Sequence, residues 1–146
     1  MIWGAISSRG KSDLIVVQGN INSLKYQDIL TRQSSSIHTL FPKKFTFQQD
    51  NAPCHRSRST SQWFADSGWD VSSWPAYSPD LNPIENVWFL MKNEVEKKRP
   101  KNLTDLENII RVVWNDLDIE MLKSKIRSMG NRVKKCIEAN GETIKY

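Results

Sequence analysis

The sequence predicts an α/β domain with a mixed β-sheet, flanking helices and a helical C-terminal end. Two observations lead to this fold class. Residues 1–76 alternate short β-prone stretches with helical patterns, whereas three amphipathic helical patterns follow one another after residue 82. In the resulting order of elements, β-β-α-β-α-β-α-α-α, helices can cover a sheet that combines parallel and antiparallel strands.

The predicted strands lie in the first half of the chain. The apolar stretches MIWGAIS (residues 1–7) and LIVVQG (residues 14–19) flank a polar turn, which is typical of a β-hairpin. KFTFQQD (residues 44–50) alternates so that Phe45 and Phe47 point to the same, inner face. WDVSSW (residues 69–74) predicts a further short strand.

Two helices are predicted between these strands. The first begins with Asn22 or Ser23 as its cap and ends at the serine cluster of residues 34–36 together with Pro42. Its buried face is expected to carry Tyr26, Ile29, Leu30 and Gln33. A second, short helix is predicted around Trp63 and Phe64.

The C-terminal half predicts three helices. Asn82 and Pro83 open the first, because proline is favoured at the first helical position. Helical spacing places five apolar residues on one face of this helix, namely Ile84, Val87, Trp88, Met91 and Val95. TDLE (residues 104–107) matches a capping box and predicts the start of the second. The third is expected to run from Ile119 to Ala139, with Gly141 as its stop signal.

Length and composition favour a single-domain intracellular protein without a membrane span. The chain has 146 residues, which predicts a single domain, and carries a net charge of +5, which is compatible with a polyanionic partner. Two cysteines without C-x-x-C spacing favour reduced thiols in an intracellular protein. No apolar run approaches the roughly 18 residues of a membrane span, so no membrane association is predicted.

The last predicted helix has a strongly basic polar face, for which two interpretations stay open. It can follow the phosphates of bound DNA, or it can be an ordinary solvated surface. The residues on this face are Lys123, Lys125, Arg127, Arg132, Lys134 and Lys135.

Two acidic residues stand where α/β folds form sites. Asp50 follows a predicted core strand, and Glu85 begins a helix that follows a later strand. Two carboxylates that meet at one edge of a sheet suit a hard divalent ion such as Mg²⁺, which prefers oxygen ligands. Each residue also has a structural interpretation when taken alone, Asp50 as a turn residue and Glu85 as a helix cap.

The neighbours of these carboxylates have mainly structural interpretations. Asp13 and Asp80 are predicted to be turn residues, and Cys54 a small buried side chain. His55 is compatible with a phosphate or metal contact and with a place at the edge of the core.

FQQDNAPCH (residues 47–55) and WPAYSPDLNPIENVW (residues 74–88) are the most specific segments of the chain, and 34 residues (51–84) separate Asp50 from Glu85. In both segments, and also in MIWGAIS, NLTDLENIIRVVWNDL and ANGETIKY, the chain resembles the catalytic core of the mariner-like transposases of the DDE superfamily. The resemblance implies a ribonuclease-H-like fold in which Asp50 and Glu85 are catalytic residues and metal ligands. They are expected to face one cleft, with the proline-rich segment setting the angle at which Glu85 enters it.

The same resemblance implies a function. The expected activity is cut-and-paste DNA transposition, in which Mg²⁺, or Mn²⁺ as a substitute, supports cleavage at the element ends and strand transfer into target DNA. The expected partners are transposon-end and target DNA, with a homodimer in the full-length form, no membrane, and a nuclear location.

The family's first catalytic aspartate lies on a strand upstream of the segment that matches MIWGAIS, and Asp13 does not replace it. We therefore expect an N-terminally truncated catalytic domain that lacks its first strand and the helix-turn-helix DNA-binding domain. Its two-metal site would be incomplete and the fragment inactive by itself. The alternatives are a non-catalytic DNA- or protein-binding remnant of a transposable element and, disfavoured by the specific SPDLNPIEN segment, an unrelated ribonuclease-H-like nuclease.

Overall fold

The structure, a computed structural model, describes residues 1–40 and 44–144, which form two compact units. Met1–Gly4 and Ile15–Tyr77 form the first unit, and Ala5–Leu14 and Ser78–Tyr146 form the second. Each unit buries its own set of apolar side chains.

The elements keep the predicted succession of strands and helices, with four short strands in the hairpin instead of two, an additional short helix before the one around Trp63, and two helices in place of the last one. They are strands β1 (Ile2–Trp3), β2 (Ile6–Ser7), β3 (Gly10–Lys11) and β4 (Ile15–Val16), helix α1 (Ser23–Leu40), strand β5 (Thr46–Phe47), helices α2 (Pro53–Arg56) and α3 (Arg58–Ser67), strand β6 (Asp70–Val71), and helices α4 (Pro83–Lys98), α5 (Leu103–Asn115), α6 (Ile119–Arg127) and α7 (Met129–Glu138). A 3-10 turn at Pro79–Leu81 precedes α4. No helix within the described residues is long and apolar enough to cross a lipid bilayer.

The strand pairs confirm the mixed α/β class. β1 pairs with β4, and β2 with β3, both antiparallel, as the predicted hairpin requires. β5 and β6 pair in parallel, with Thr46 opposite Asp70. The hydroxyl of Thr46 also donates to Oδ2 of Asp70 at 2.7 Å, which adds a side-chain bond to the register of this pair.

The core of the first unit is rich in aromatic rings. Phe45 and Phe47 both contact Trp69, with ring centroids 5.3 and 5.2 Å apart, so the predicted inward alternation is confirmed. Tyr26 and Leu30 of α1 are among the most deeply buried residues of this cluster. The strand that ends before Asp50 is therefore anchored by ring packing on its inner face.

Helix α1 is longer than predicted. The serine cluster does not end it, because the helix continues to Leu40, while Pro42 lies outside the described residues. Ile37 is buried in the core, and the Thr39 hydroxyl donates to the Ser35 carbonyl at 3.0 Å, a bond within the helix. Tertiary burial of one apolar side chain outweighs the weak helix propensity of serine. The Asn22 cap is confirmed, since its Oδ1 accepts from the Lys25 N–H at 2.9 Å.

Trp114 organises the core of the second unit. It is 1 % exposed, stacks on Trp88 of α4 with ring centroids 5.4 Å apart, and donates its indole N–H to the Ser12 carbonyl at 2.9 Å. Val87 and Met91, on the predicted inner face of α4, are buried in the same unit. Of the predicted apolar face of α4, Val87 and Met91 are thus the fully buried members.

Two helix boundaries differ from the prediction. Helix α5 begins at Leu103 with Asn102 as its cap, whose side chain accepts from the Asp105 N–H, so the capping box predicted at Thr104 is wrong by two residues. The single helix predicted from Ile119 to Ala139 is two helices that meet at Ser128. The Ser128 hydroxyl donates to the Lys125 carbonyl at 2.6 Å. In a continuous helix this carbonyl would accept from the N–H four residues later.

We expect Trp114→Phe to destabilise the protein by about 1–3 kcal/mol, because the buried Ser12 carbonyl loses its donor. Chemical denaturation followed by circular dichroism measures this change. Phe89→Leu, at a position 63 % exposed, serves as the control and should stay within about 0.5 kcal/mol. Equal losses in both variants would contradict the importance of the indole hydrogen bond.

Candidate metal-binding site

Asp50 lies in the loop that follows β5, and its carboxylate is held on one oxygen. Oδ1 accepts hydrogen bonds from the Ala52 N–H at 3.0 Å and from Nδ1 of His55 at 2.6 Å. The Asp50 side chain is nevertheless 58 % exposed. The contacts therefore orient the carboxylate without covering it, which is the arrangement that a metal ligand requires.

His55 is itself fixed from behind. Its ring is 17 % exposed and packs against Tyr26, with ring centroids 4.1 Å apart. The Tyr26 hydroxyl donates to Oε1 of Gln49 at 2.5 Å, and Nε2 of Gln49 donates to the His55 carbonyl at 3.5 Å. Burial, together with the nearby Cys54 and Asp50, raises the pKa of Tyr26 above its ordinary value, so the phenol stays protonated and remains a donor.

This network gives the QQDNAPCH segment a structural explanation. Of the two interpretations of His55, the structure favours the one at the edge of the core, with the added contact to Asp50 that the sequence did not reveal. Gln49 and Tyr26 are residues that sequence reasoning missed as supports of this loop. Cys54 is a buried free thiol, as predicted, and burial raises the pKa of its thiol.

Glu85 is the third residue of α4, and it is exposed. Pro83, at the start of the helix, is buried, and the Glu85 N–H donates to the Asn82 carbonyl at 3.2 Å. The Asn82 side chain makes no capping hydrogen bond to the first turn of α4. The proline-rich segment thus delivers an exposed carboxylate on the first helical turn.

Asp80, predicted to be a turn residue, is a buried anchor. It is 8 % exposed, and its Oδ2 accepts from the Ile144 N–H at 2.9 Å. Its carbonyl accepts from Nη1 of Arg132 at 2.7 Å. Asp80 does lie in the 3-10 turn, but the turn is fixed by partners from the far end of the chain.

The predicted position of Arg132 on the solvated basic face is wrong. Arg132 is 3 % exposed. Its Nε donates to the Ser128 hydroxyl at 2.9 Å, and its Nη2 donates to Oδ1 of Asn86. Helical spacing alone assigned Arg132 to the basic face, because the break at Ser128 and the partners of the guanidinium could not be read from the sequence.

The other basic residues of α6 and α7 remain accessible to different degrees. Lys123 pairs with Glu120 at 2.6 Å and Lys134 with Glu138 at 3.9 Å. Arg127, Lys134 and Lys135 are exposed, whereas Lys123 and Lys125 are half-buried. DNA contact by these residues stays a prediction.

Asp50 belongs to the first unit and Glu85 to the second. Within the residues that the structure describes, no group of three or more His, Cys, Asp or Glu side chains is arranged to hold a metal ion. That the two carboxylates share one ion stays a prediction.

Comparison with known proteins identifies the family. The sequence profile of the DDE superfamily endonucleases matches residues 1–107, which include both Asp50 and Glu85. The chain belongs to this family. Among its relatives, the Tc3 transposase of Caenorhabditis elegans is 36 % identical, over 100 % of this chain and 45 % of the relative. The Tcb2 transposase of Caenorhabditis briggsae is 31 % identical, over 100 % of this chain and 54 % of the relative.

The fold agrees with this assignment. The catalytic domain of the Mos1 transposase superposes with a TM-score of 0.90 at 20 % identity, over 99 % of this chain and 76 % of that domain. The expected ribonuclease-H-like fold is thereby confirmed. The chain spans about half the length of the relatives it matches.

We expect Tyr26→Phe to lower the free energy of unfolding by about 0.5–2 kcal/mol, because Gln49 loses the donor that holds it beside Asp50. The matched control is Tyr77→Phe, since the Tyr77 side chain is fully exposed (100 %) and its hydroxyl lies in solvent. Urea denaturation of both variants makes the comparison. A Tyr26→Phe variant as stable as the Tyr77→Phe variant would refute the proposed support of the loop.

Proposed function

We propose that this chain is part of the catalytic core of a cut-and-paste DNA transposase in which Asp50 and Glu85 bind Mg²⁺ at the scissile phosphate. The observation that carries the proposal is the Asp50 carboxylate, oriented through Oδ1 by two donors and yet largely exposed. The exposed Glu85 on the first turn of α4 supplies the second carboxylate. Family membership and the names of the relatives, which are transposases of transposable elements, support the same activity.

The two residues fit the chemistry of the ion. Mg²⁺ takes oxygen ligands and is commonly bound through one or two carboxylates, with substrate phosphates and water filling the remaining positions. Mn²⁺ is the expected substitute, and solved structures of the Mos1 catalytic domain are described with Mg and with Mn. When bound, the ion would polarise the phosphoryl oxygen and activate the attacking oxygen.

The residues of this chain would contribute by holding the metal ligands in place. His55 and the Ala52 N–H hold one oxygen of Asp50, so the carboxylate presents its other side to a ligand. The attacking oxygen, first of water and then of the freed 3′-hydroxyl, would form a bond to phosphorus while the opposite P–O bond breaks. Positional precision matters in such displacements, because an error near 1 Å can cost about a hundredfold in rate.

DNA is the proposed partner, with transposon ends and target DNA as the two substrates. Solved Mos1 complexes are described as paired-end and strand-transfer complexes, which supports both DNA substrates. A homodimer of the full-length form is part of the same proposal. The exposed Arg127, Lys134 and Lys135 are proposed to contact phosphates. Activity on chromosomal DNA would place the protein in the nucleus.

Asp50→Asn and Glu85→Gln should each weaken Mn²⁺ binding by about tenfold or more, since even changes beyond the direct ligands alter metal affinity on that scale. Electron paramagnetic resonance of Mn²⁺ measures free and bound ion directly, and circular dichroism verifies folding. Asp66→Asn and Glu96→Gln are the matched controls, because both carboxylates are exposed and lie in the same two units. Unchanged Mn²⁺ affinity in both site variants would favour a non-catalytic remnant instead.

DNA affinity should be insensitive to sequence and fall steeply with salt, because Lys and Arg that neutralise phosphates release counterions. Replacing Arg127, Lys134 and Lys135 by Gln should lower the slope of log affinity against log salt by roughly 0.9 per lost phosphate contact. Fluorescence anisotropy with duplex DNA at several salt concentrations gives this slope. Lys97→Gln with Lys98→Gln, at the end of α4, is the control. The same slope in the triple variant and in the control would show that the basic face is an ordinary solvated surface.

A further inference from the structure

The guanidinium of Arg132 links helix α7 to both sides of Glu85. One nitrogen, Nη1, donates to the carbonyl of Asp80, in the turn before α4, at 2.7 Å. Another, Nη2, donates to Oδ1 of Asn86, the residue directly after Glu85. The chain is therefore held both before and after Glu85 by the same planar group.

Further hydrogen bonds hold the Arg132 side chain and the turn that it contacts. Nε of Arg132 donates to the Ser128 hydroxyl at 2.9 Å, one helical turn earlier. The Asp80 carboxylate accepts from the Ile144 N–H at 2.9 Å, so the segment after α7 also closes on the turn. Three acceptors in three directions match the fixed fork of an arginine and not the single point charge of a lysine.

From this geometry we infer that Arg132 is a positioning residue, which sets the direction in which the Glu85 side chain projects from the first turn of α4. The inference rests on the proposed function, in which Glu85 is a metal ligand. Arg132 touches neither substrate nor metal in this role, and acts through Asp80 and Asn86. Holding the turn limits the fraying of the helix end that carries Glu85.

The burial of the positive charge supports a role beyond packing. Arg132 is 3 % exposed, and desolvating a guanidinium is costly unless its donors are satisfied. Apolar side chains of similar volume commonly stabilise a core as well as a buried ionic group does. An apolar residue, however, cannot donate hydrogen bonds to Asp80 and Asn86 at the same time. Arg132 and Ile144 also lie beyond residues 1–107, the part of the chain that the family profile matches.

Arg132→Lys and Asn86→Ala test the inference in the metal-free protein by hydrogen exchange. Backbone amides at residues 80–82 and 84–87 should exchange about tenfold faster or more, because the hydrogen bonds that hold this turn are lost, whereas residues 94–98 at the far end of α4 should not change. Arg9→Lys, in an exposed turn, and Asn93→Ala, two turns further along α4, are the matched controls. Asn86→Ala keeps the test decisive if Arg132→Lys does not fold.

Mn²⁺ binding is the second readout. Both variants should weaken Mn²⁺ affinity by about tenfold while they remain folded, on the scale seen for residues that orient metal ligands. Exchange that rises equally throughout α4 and α5, or that does not rise, overturns the inference, as does wild-type Mn²⁺ affinity in both variants. If Glu85→Gln itself leaves Mn²⁺ binding unchanged, the proposed function fails, while local exchange still decides whether Arg132 holds the turn.

Discussion

A carboxylate that binds a metal ion must be fixed in direction and yet stay accessible to the ion and to solvent. These demands conflict, because the usual way to fix a side chain is to bury it, and a buried carboxylate is neutralised or needs a paired charge. In this chain, the groups that hold each candidate carboxylate or its backbone contact it from the protein interior, and the carboxylate itself stays accessible. Asp50 and Glu85 remain exposed, and the groups that hold their surroundings are buried or half-buried.

The two carboxylates meet this demand in different ways. Asp50 is held directly, through hydrogen bonds to Oδ1, and the first of its supports, His55, rests on the buried ring of Tyr26. The backbone around Glu85 is held by Arg132, which bonds the Asp80 carbonyl and the Asn86 side chain. The difference follows from local structure. A loop residue can be reached by its own neighbours, whereas a residue on a helix end is best steered by fixing the turn.

Much of the fold could be predicted because it depends on local periodicity. The inner faces of α1 and α4 were read correctly from helical spacing, and Phe45 and Phe47 from strand alternation, since burial follows those periods. The errors occurred where packing overrode propensity, or where a stronger local cap preceded the predicted one. Serines were expected to end α1, but the burial of Ile37 continues it. TDLE was expected to cap α5, but Asn102 does so two residues earlier. The fold class and the family were therefore accessible from the sequence, while the boundaries were not.

The sequence by itself determined where the candidate carboxylates stand along the chain. Turn chemistry after β5 and the prolines before α4 act within a few residues, so they place Asp50 in a loop and Glu85 on a first helical turn wherever the rest of the chain goes. Only the tertiary structure decided what holds that turn. Arg132 lies 52 residues from Asp80 and 46 from Asn86, and Ile144 lies 64 from Asp80. Contacts over such separations arise from packing and not from local pattern, so an arginine that reads as part of a basic surface becomes the buried support of the helix that carries Glu85.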